Sequence, residues 1–425
     1  MRRALALVFV LLSAISTVSP ASAPSPLTLA DIYNPSKVIR VDFTLPQSSI
    51  DSLNTDSTLK KYVSGQVSFS LDKKTSGTLD IKLRLKGSSS LQKLDAAPSF
   101  KIKFPAGPAQ LGYLGLRRMT LNAMTQDGSK LHEFAAYALF NAMGLPASKT
   151  GWAKVYVNGI FKGLYVNIET PDETFMTRRF RDITQHIYEA AGGSDFRMGS
   201  DWGDNKTGNF LVDYGWKETP NKYDLNTLIA YTYDQDKASW YRGLNDVLDR
   251  TALLKFMAVE NYIGHWDGYS GPDKNNFFIR SNTKGKFSFI PWGTDQTFGE
   301  NRATATIGDF FTMPMASENS ASPLSGPVPR YVPVTRGKLY VQCLNYLPCK
   351  KAYLSILKSV SSKVSSMNLI GKVTNAAKVI EPALLLQYGA NMQTLKWLND
   401  IHVEQNSMLS FIAARQIEVA GLPNQ

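Results

Sequence analysis

Asp267, Asn276 and Asp295 are spaced so that one hairpin would gather them at a single end. Phe277-Phe278-Ile279 and Phe287-Ser288-Phe289-Ile290 flank the gap Ser281-Asn282-Thr283-Lys284-Gly285-Lys286. Short apolar and aromatic runs around a Gly/Asn-containing gap read as two antiparallel strands. A hairpin returns the end of its second strand to the start of its first. Asp295, just past the second strand, is therefore expected beside Asn275 and Asn276, with Asp267 in the loop that feeds the first. A carboxylate placed to meet a hydroxyl, and an amide and carboxylate oxygen able to share a hard cation, are the parts that metal-assisted phosphoryl transfer needs. Spacing does not rank Asn275 against Asn276. Asp273 reads as a turn residue, and His265, at a helix exit, as a structural hydrogen-bonder.

Protein kinases have this order, with an Asp and an Asn before a hairpin and a metal-binding Asp after it. The common kinase signatures are absent, since the chain contains neither His-Arg-Asp nor Asp-Phe-Gly. The segment resembles instead the CotH family, atypical secreted kinases named for a spore-coat protein. In that family an Asp and an Asn-Asn-aromatic run precede a Pro-Trp-Asp-x-Asp-x-x-Phe-Gly segment. The matching residues are Asp267, Asn275-Asn276-Phe277 and Pro291-Trp292-Gly293-Thr294-Asp295-Gln296-Thr297-Phe298-Gly299, with Gly293 where the family has its first Asp. Leu83–Ser90 resembles the family's Arg-Gly-x-Ser-Ser segment, with Lys86 replacing the Arg. Phe100-Lys101-Ile102-Lys103-Phe104 is similar to its basic-aliphatic-basic-Phe strand, and Gly163–Glu169 to its Gly-x-Tyr-x-x-x-Glu. The resemblance runs from about Lys37 to Phe411–Gln416 and departs at His132-Glu133, where the family often has an Arg.

The resemblance implies a kinase using ATP with Mg²⁺ or Mn²⁺. Asp267 would be the base or hydroxyl-positioning residue, and Asn276 and Asp295 the metal ligands. Lys86, Gly87, Ser88, Ser90, Lys101, Lys103 and Glu169 would meet the nucleotide, with Lys101 ahead of Lys103 as the phosphate contact. Glu169 would orient the lysine or meet the nucleotide, or else be a charge at a strand end. A Gly-Ser-Ser-Ser run alone is ordinarily a turn; its place after a basic strand is what raises it. If the family's first Asp binds metal, Gly293 marks a lost ligand; if Asp295 is the essential one, transfer survives.

The elements needed to position these residues are legible in part. Ile39–Leu45, Val67–Leu71, Leu79–Leu85 and Phe100–Phe104 alternate with a period of two, and the last two carry Lys82, Arg84, Lys86, Lys101 and Lys103 on the face opposite their apolar residues. Gly128–Met143 has helical spacing, with Asp127 as cap and Gly144 and Pro146 as stops. A second hairpin is expected around Asn158-Gly159, and a buried helix over Thr251–Ile263. Asp172–Trp240 reads as loop-rich, a lid or substrate-facing insertion. Pro314–Pro333 reads as a flexible loop, and the chain from Lys338 as mostly helical. The order fits an α+β, two-lobed, kinase-like fold: a strand-rich lobe over about 37–170, a mainly helical lobe over about 171–425, and a linker at 24–36.

Met1-Arg2-Arg3, the apolar run Ala4–Ile15 and Ala21-Ser22-Ala23 make a secretory signal over residues 1–23. No stretch is long and apolar enough to span a bilayer, so an exported protein is expected, secreted or periplasmic. The formal net charge is +12, and loss of Arg2 and Arg3 leaves +10. That charge suits anionic partners, but the basic aromatic stripes of a nucleic-acid module are absent. The expected partners are a nucleotide and a surface or coat protein. Cys343 and Cys349 are expected to pair across Leu344–Pro348. Two other classes compete. One is a non-catalytic surface or coat protein, or adhesin, of the same fold. The other is a glycoside hydrolase using Asp267 and Asp295 as paired carboxylates, which leaves the basic strands without a role.

Overall fold

Alternation in the first third of the chain closes into a barrel. The computed structural model describes residues 25–422, apart from 57, 59–60, 88–89, 106–111, 204–207, 234–235, 301–335 and 389–391. Strands β1 (Ser25–Pro26), β2 (Val38–Thr44), β3 (Val63–Leu71), β4 (Lys74–Lys86), β5 (Ser99–Lys103), β6 (Arg118–Asn122), β7 (Thr150–Val157) and β8 (Ile160–Glu169) form one sheet in the order β1-β4-β3-β2-β7-β8-β6-β5. Because β4 also pairs with β5, seven of these strands close on themselves. The period of two turns Val41, Phe43, Phe69, Leu83, Phe100 and Ile102 inward as one buried core. Closure leaves those strands no bare edge.

The expected linker belongs to this unit. β1 pairs with β4, a Thr28–Asp31 capping box closes the short helix α1 (Leu29–Ile32), and Leu27, Ile32 and Tyr33 are buried in the barrel core. A two-residue strand and a four-residue helix are too short to show any period. Helix α2 (Gln47–Thr55) packs on β3.

The second core is built from helices, a smaller sheet and the residues Trp152, Leu164, Val166 and Ile168 that β7 and β8 contribute from the barrel. Helices α3 (His132–Ala142), α4 (Glu173–Arg179), α5 (Tyr223–Tyr231), α6 (Lys237–Val247), α7 (Arg250–Ile263), α8 (Lys338–Leu344), α9 (Leu347–Ser366), α10 (Leu369–Tyr388) and α11 (Met392–Ala420) accompany strands β9 (Thr184–Ala190), β10 (Phe210–Tyr214), β11 (Phe277–Asn282) and β12 (Phe287–Pro291). Phe134, Trp152, Trp240, Phe256 and Phe289 are among the side chains buried together there. The class is mixed α+β, as expected.

Two expectations need correction. The loop-rich reading of residues 172–240 fails, because they hold α4, β9, β10, α5 and the start of α6, and β9 sits inside the antiparallel sheet β10-β9-β11-β12. Its residues Thr-Gln-His-Ile-Tyr-Glu-Ala show no clean alternation because polar groups are satisfied inside the protein. His186 Nδ1 lies 2.9 Å from Asp224 Oδ2, and its Nε2 2.9 Å from the Thr219 carbonyl. Helix α3 also begins later than its periodicity suggests. Asp127 Oδ1 accepts from Lys130 N and Oδ2 from His132 N, each at 2.8 Å, while Lys130 is left-handed at φ 67°, so residues 128–131 form a pinned turn.

The expected hairpins at 155–168 and 277–290 and the helix leading to Asp267 are present. Cys343 and Cys349 form a disulfide, with both residues buried. Among the described residues no helix is long and apolar enough to cross a membrane. The expected signal at 1–23 and the expected loop at 314–333 lie outside the described residues.

Candidate active site

The hairpin brings Asp267, Asn276 and the chain leading to Asp295 together. Phe277 pairs with Pro291, so the residues just before β11 lie beside those just after β12. The Asp267 carbonyl accepts Asn275 N at 3.0 Å and Asn276 N at 2.8 Å, closing the loop between them. Asn276 Nδ2 donates to Asp267 Oδ2 and to the Gly293 carbonyl, both at 3.1 Å. With its NH₂ engaged twice, this amide turns its oxygen away from both partners. Asn275 differs, since its Oδ1 is buried with no hydrogen-bond partner.

The Asp267 loop is anchored from below. Helix α7 ends at Gly264, whose φ of 67° stops it. Glu260, buried in the last turn of α7, accepts Tyr269 N on Oε1 and Ser270 N on Oε2, both at 2.8 Å. Burial pushes its carboxyl up to about 7, against the pull of those N–H groups. A Cβ on Gly268 would come within 2.4 Å of Glu260 Oε1, so the loop closes over the carboxylate only with glycine there. The Tyr269 ring is fully buried among Phe196, Phe277 and Phe289, with centroids 5.3–5.6 Å away, and its hydroxyl accepts Leu339 N at 2.8 Å. Burying one such ring contributes about 2 kcal/mol. His265 is buried with Nε2 on the Trp292 carbonyl at 3.2 Å, and burial lowers its pKa to about 4. It is neutral and structural. Asp273 accepts Trp266 Nε1 at 3.2 Å, as suits a turn residue.

Asp295 is half-buried, and its surroundings come from the barrel and α3. The Asp295 carbonyl lies 2.8 Å from His132 Nδ1, which must carry the proton, since a carbonyl only accepts. Burial raises the carboxyls of both Asp295 and Glu133, and the Asp295 charge raises Glu133 further; Lys86 opposes the rise in both. Glu133 is held by Asn122 Nδ2 at 2.6 Å. Asp127, His132 and Glu300 also converge closely enough to hold a cation. Their atoms are engaged locally: Asp127 pins its turn, Glu300 accepts Gly128 N at 3.1 Å, and His132 Nδ1 meets the Asp295 carbonyl. This cluster positions Asp295.

The basic face of the barrel forms a wall of the same region. In register, Arg84 faces Lys101 across β4 and β5, and Lys103 faces Arg118 across β5 and β6. Strands β9 and β10 cover this wall and supply Glu189 and Asp213. Lys101 Nζ is 4.0 Å from Glu189, and Arg118 Nη1 is 2.7 Å from Asp213. Burial lowers the pKa of Lys101, helped by the charges of Arg84 and Lys86; Glu189 opposes it. Lys103 is lowered by burial and by Arg118 and Arg84. Gly87, at φ 145°, allows the chain to turn where a Cβ would lie 3.0 Å from Leu91 N. Ser90 is half-buried, and Ser88 lies outside the described residues.

Glu169 does not join this wall. It is fully buried, with Arg178 Nη2 at 2.7 Å on one oxygen and Arg179 Nη2 at 2.8 Å on the other, and Lys149 N also donates to it. Its role is to seat α4 against β8. The carboxylate beside Lys101 is Glu189.

A family model described as CotH kinase protein matches residues 83–418, from the middle of β4 into the last helix. The chain belongs to the CotH family. Similar curated proteins include inner spore coat protein H of Bacillus subtilis (strain 168), 25% identical over 191 residues, covering 44% of this chain and 52% of that one. Invasin CotH2 of Rhizopus delemar is 24% identical over 212 residues, covering 45% and 34%. The matches thus span about half or less of these relatives. Among solved structures, the Helicobacter pylori proinflammatory kinase CtkA aligns with a TM-score of 0.32 at 10% identity, covering 72% of this chain and 93% of that one. HipA of Shewanella oneidensis MR-1, in its complex with HipB and operator DNA, aligns with a TM-score of 0.34 at 11% identity, covering 79% and 67%. Both likenesses are remote.

The Asp267 carboxylate, the Asn276 amide oxygen, the Asp295 carboxylate and the basic face of β4, β5 and β6 are the candidate groups. The amide oxygen of Asn276 and the carboxylate of Asp295 suit a small hard cation, which takes few protein ligands. The orphaned Asn275 Oδ1 is a further oxygen nearby. Sequence reasoning missed Glu260, Glu133, His132 as a partner of Asp295, and the β9–β10 carboxylates. Only His132-Glu133 had left a signal, as a departure from the family pattern.

Proposed function

We propose that this protein is an exported ATP-dependent kinase that transfers the γ-phosphoryl group to a Ser or Thr hydroxyl of a surface or coat protein. The observation that carries this reading is the Asn276 amide, held between the Asp267 carboxylate and the Gly293 carbonyl at the end of the hairpin that leads to Asp295. Asp267 accepts the proton of the acceptor hydroxyl, whose oxygen bonds to the γ-phosphorus as the bond to the β,γ-bridging oxygen breaks and ADP leaves. Asn276 and Asp295 would hold Mg²⁺ or Mn²⁺, which supplies charge neutralisation for the phosphates. Lys86, Gly87, Ser88, Ser90 and Lys101 would meet the phosphates. The two separate apolar cores support a two-lobed arrangement with this site in the cleft between. The names of the relatives, a spore coat protein and an invasin, support a coat or surface location.

Gly293 favours a second reading, a non-catalytic coat or surface protein, because it removes a carboxylate that the family pattern carries. Incubating the protein with labelled ATP and Mg²⁺ or Mn²⁺ separates the two. Transfer to itself or to a coat protein, lost in Asp267→Asn, supports the kinase; no transfer with either metal supports the second reading.

A further inference from the structure

The loop that carries Asp267 is held from two sides at Tyr269 and Ser270. Glu260 takes both of their N–H groups from below. The short stretch that opens α8 meets the same two residues from the other side. Arg336 Nη1 donates to the Ser270 carbonyl at 3.1 Å and to Asn261 Oδ1 at 3.2 Å. Asn261 is itself fixed in α7, because its Nδ2 donates to the Tyr353 hydroxyl of α9 at 2.8 Å. Leu339 N donates to the Tyr269 hydroxyl, and a Cβ on Gly337 would come within 2.5 Å of the Tyr269 carbonyl. The stretch therefore lies against the loop. It is anchored in turn, with Lys338 N on Asp195 Oδ1 at 2.6 Å and the Cys343–Cys349 disulfide tying α8 to α9. Ser270 and Asn261 are buried, so both oxygens that Arg336 reaches are costly to leave unpaired.

We infer that Arg336 is a positioning residue for Asp267, joining the end of α7 to the far side of the loop through one guanidinium nitrogen. The route to Asp267 is short. Gly268 N donates to the His265 carbonyl at 3.3 Å and Gly271 N to the Gly268 carbonyl at 3.0 Å, two consecutive tight turns that run through Asp267 to Ser270. A shift of Ser270 is passed along those turns to the Asp267 carbonyl, which accepts Asn275 N and Asn276 N. A planar, permanently charged group with donors in a fixed fork suits two oxygens that converge from different elements. For its effect on transfer this rests on the kinase reading; its effect on the loop rests on the fold alone.

The test is hydrogen exchange by mass spectrometry on the full chain, wild type against Arg336→Met and Arg336→Ala, beside ATP calorimetry and transfer of labelled phosphate. In both variants the amides of residues 265–276 should exchange about tenfold faster, with α7 and β12 unchanged. Turnover should fall by about tenfold to a hundredfold, while Mg²⁺-dependent ATP affinity changes far less, because Asp267 meets the acceptor. Guanidinium ion below denaturing concentration should restore both protection and turnover to Arg336→Ala, where the same concentration of sodium chloride does not. Unchanged exchange over residues 265–276 overturns the assignment. So does faster exchange spread over α7 and β12, the mark of a chain destabilised throughout. If the loop loosens but turnover holds, Arg336 does not position Asp267, and the kinase reading is untouched. If wild type transfers no phosphate with either metal, the kinase reading fails, and the exchange pattern with its guanidinium rescue alone decides whether Arg336 holds the loop.

Discussion

The side chain of Asn276 fills the space that a side chain on Gly293 would need. A Cβ built on Gly293 lies 2.6 Å from Asn276 Cγ, and Gly293 itself is left-handed at φ 53°. Its carbonyl accepts the Asn276 amide at 3.1 Å, and that amide also holds Asp267. The glycine that departs from the family motif is thus required by the arrangement around it.

Restoring the family's Asp here should therefore damage the site. Gly293→Asp forces a non-glycine residue into a left-handed conformation, costing about 1–2 kcal/mol, and drives Asn276 off Asp267. Thermal unfolding should show a lower melting temperature, and calorimetry weaker Mg²⁺-dependent ATP binding. Tighter binding in this variant would mean that Gly293 is a lost ligand after all.

Glu169 offers a test of what is structural. Glu169→Ala leaves Arg178 and Arg179 facing an empty buried site, and breaking such a pair costs about 3 kcal/mol. Denaturant unfolding should report that loss, while ATP affinity of the folded fraction stays near wild type. Unchanged stability with lost nucleotide binding would return Glu169 to the site.

Glu260 gives a prediction in pH. Its carboxyl titrates near 7 in the fold, against an ordinary 4.5. Between those values the folded chain keeps a proton that the unfolded chain has released, so this group makes stability fall as pH rises from about 4.5 towards 7. Glu260→Gln removes that contribution. Its unfolding free energy should change less steeply across this window than that of wild type, measured by urea titration at several pH values. Parallel pH profiles in the two proteins would contradict this.

How far the sequence could be read depended on whether each signal was local. The hairpin at 277–291, the alternating basic strands and the helix before Asp267 carry their own periodicity, and they stand in the fold where those periods put them. Barrel closure through the β4–β5 pairing is a long-range event, and no single strand advertises it. β9 was missed because a strand with His186 satisfied by Asp224 inside the protein looks polar in sequence. Glu189 is hidden with β9, whereas Glu169, which ends a strand with a clear motif, is legible as a partner for Lys101 and instead holds Arg178 and Arg179. Glu260 left no signal because its function is to accept two backbone N–H groups nine and ten residues away.

In the proposed kinase Asp295 is the decisive metal ligand and Asp267 the residue that meets the acceptor hydroxyl. Calorimetry with ATP, with and without Mg²⁺, on wild type, Asp295→Asn and Asp267→Asn tests it most directly. Asp295→Asn should lose the Mg²⁺-dependent gain in ATP affinity while remaining folded. Asp267→Asn should keep that gain and lose phosphoryl transfer. A wild type whose ATP binding is indifferent to Mg²⁺ and Mn²⁺, or an Asp295→Asn protein that retains the full metal-dependent gain, would contradict it.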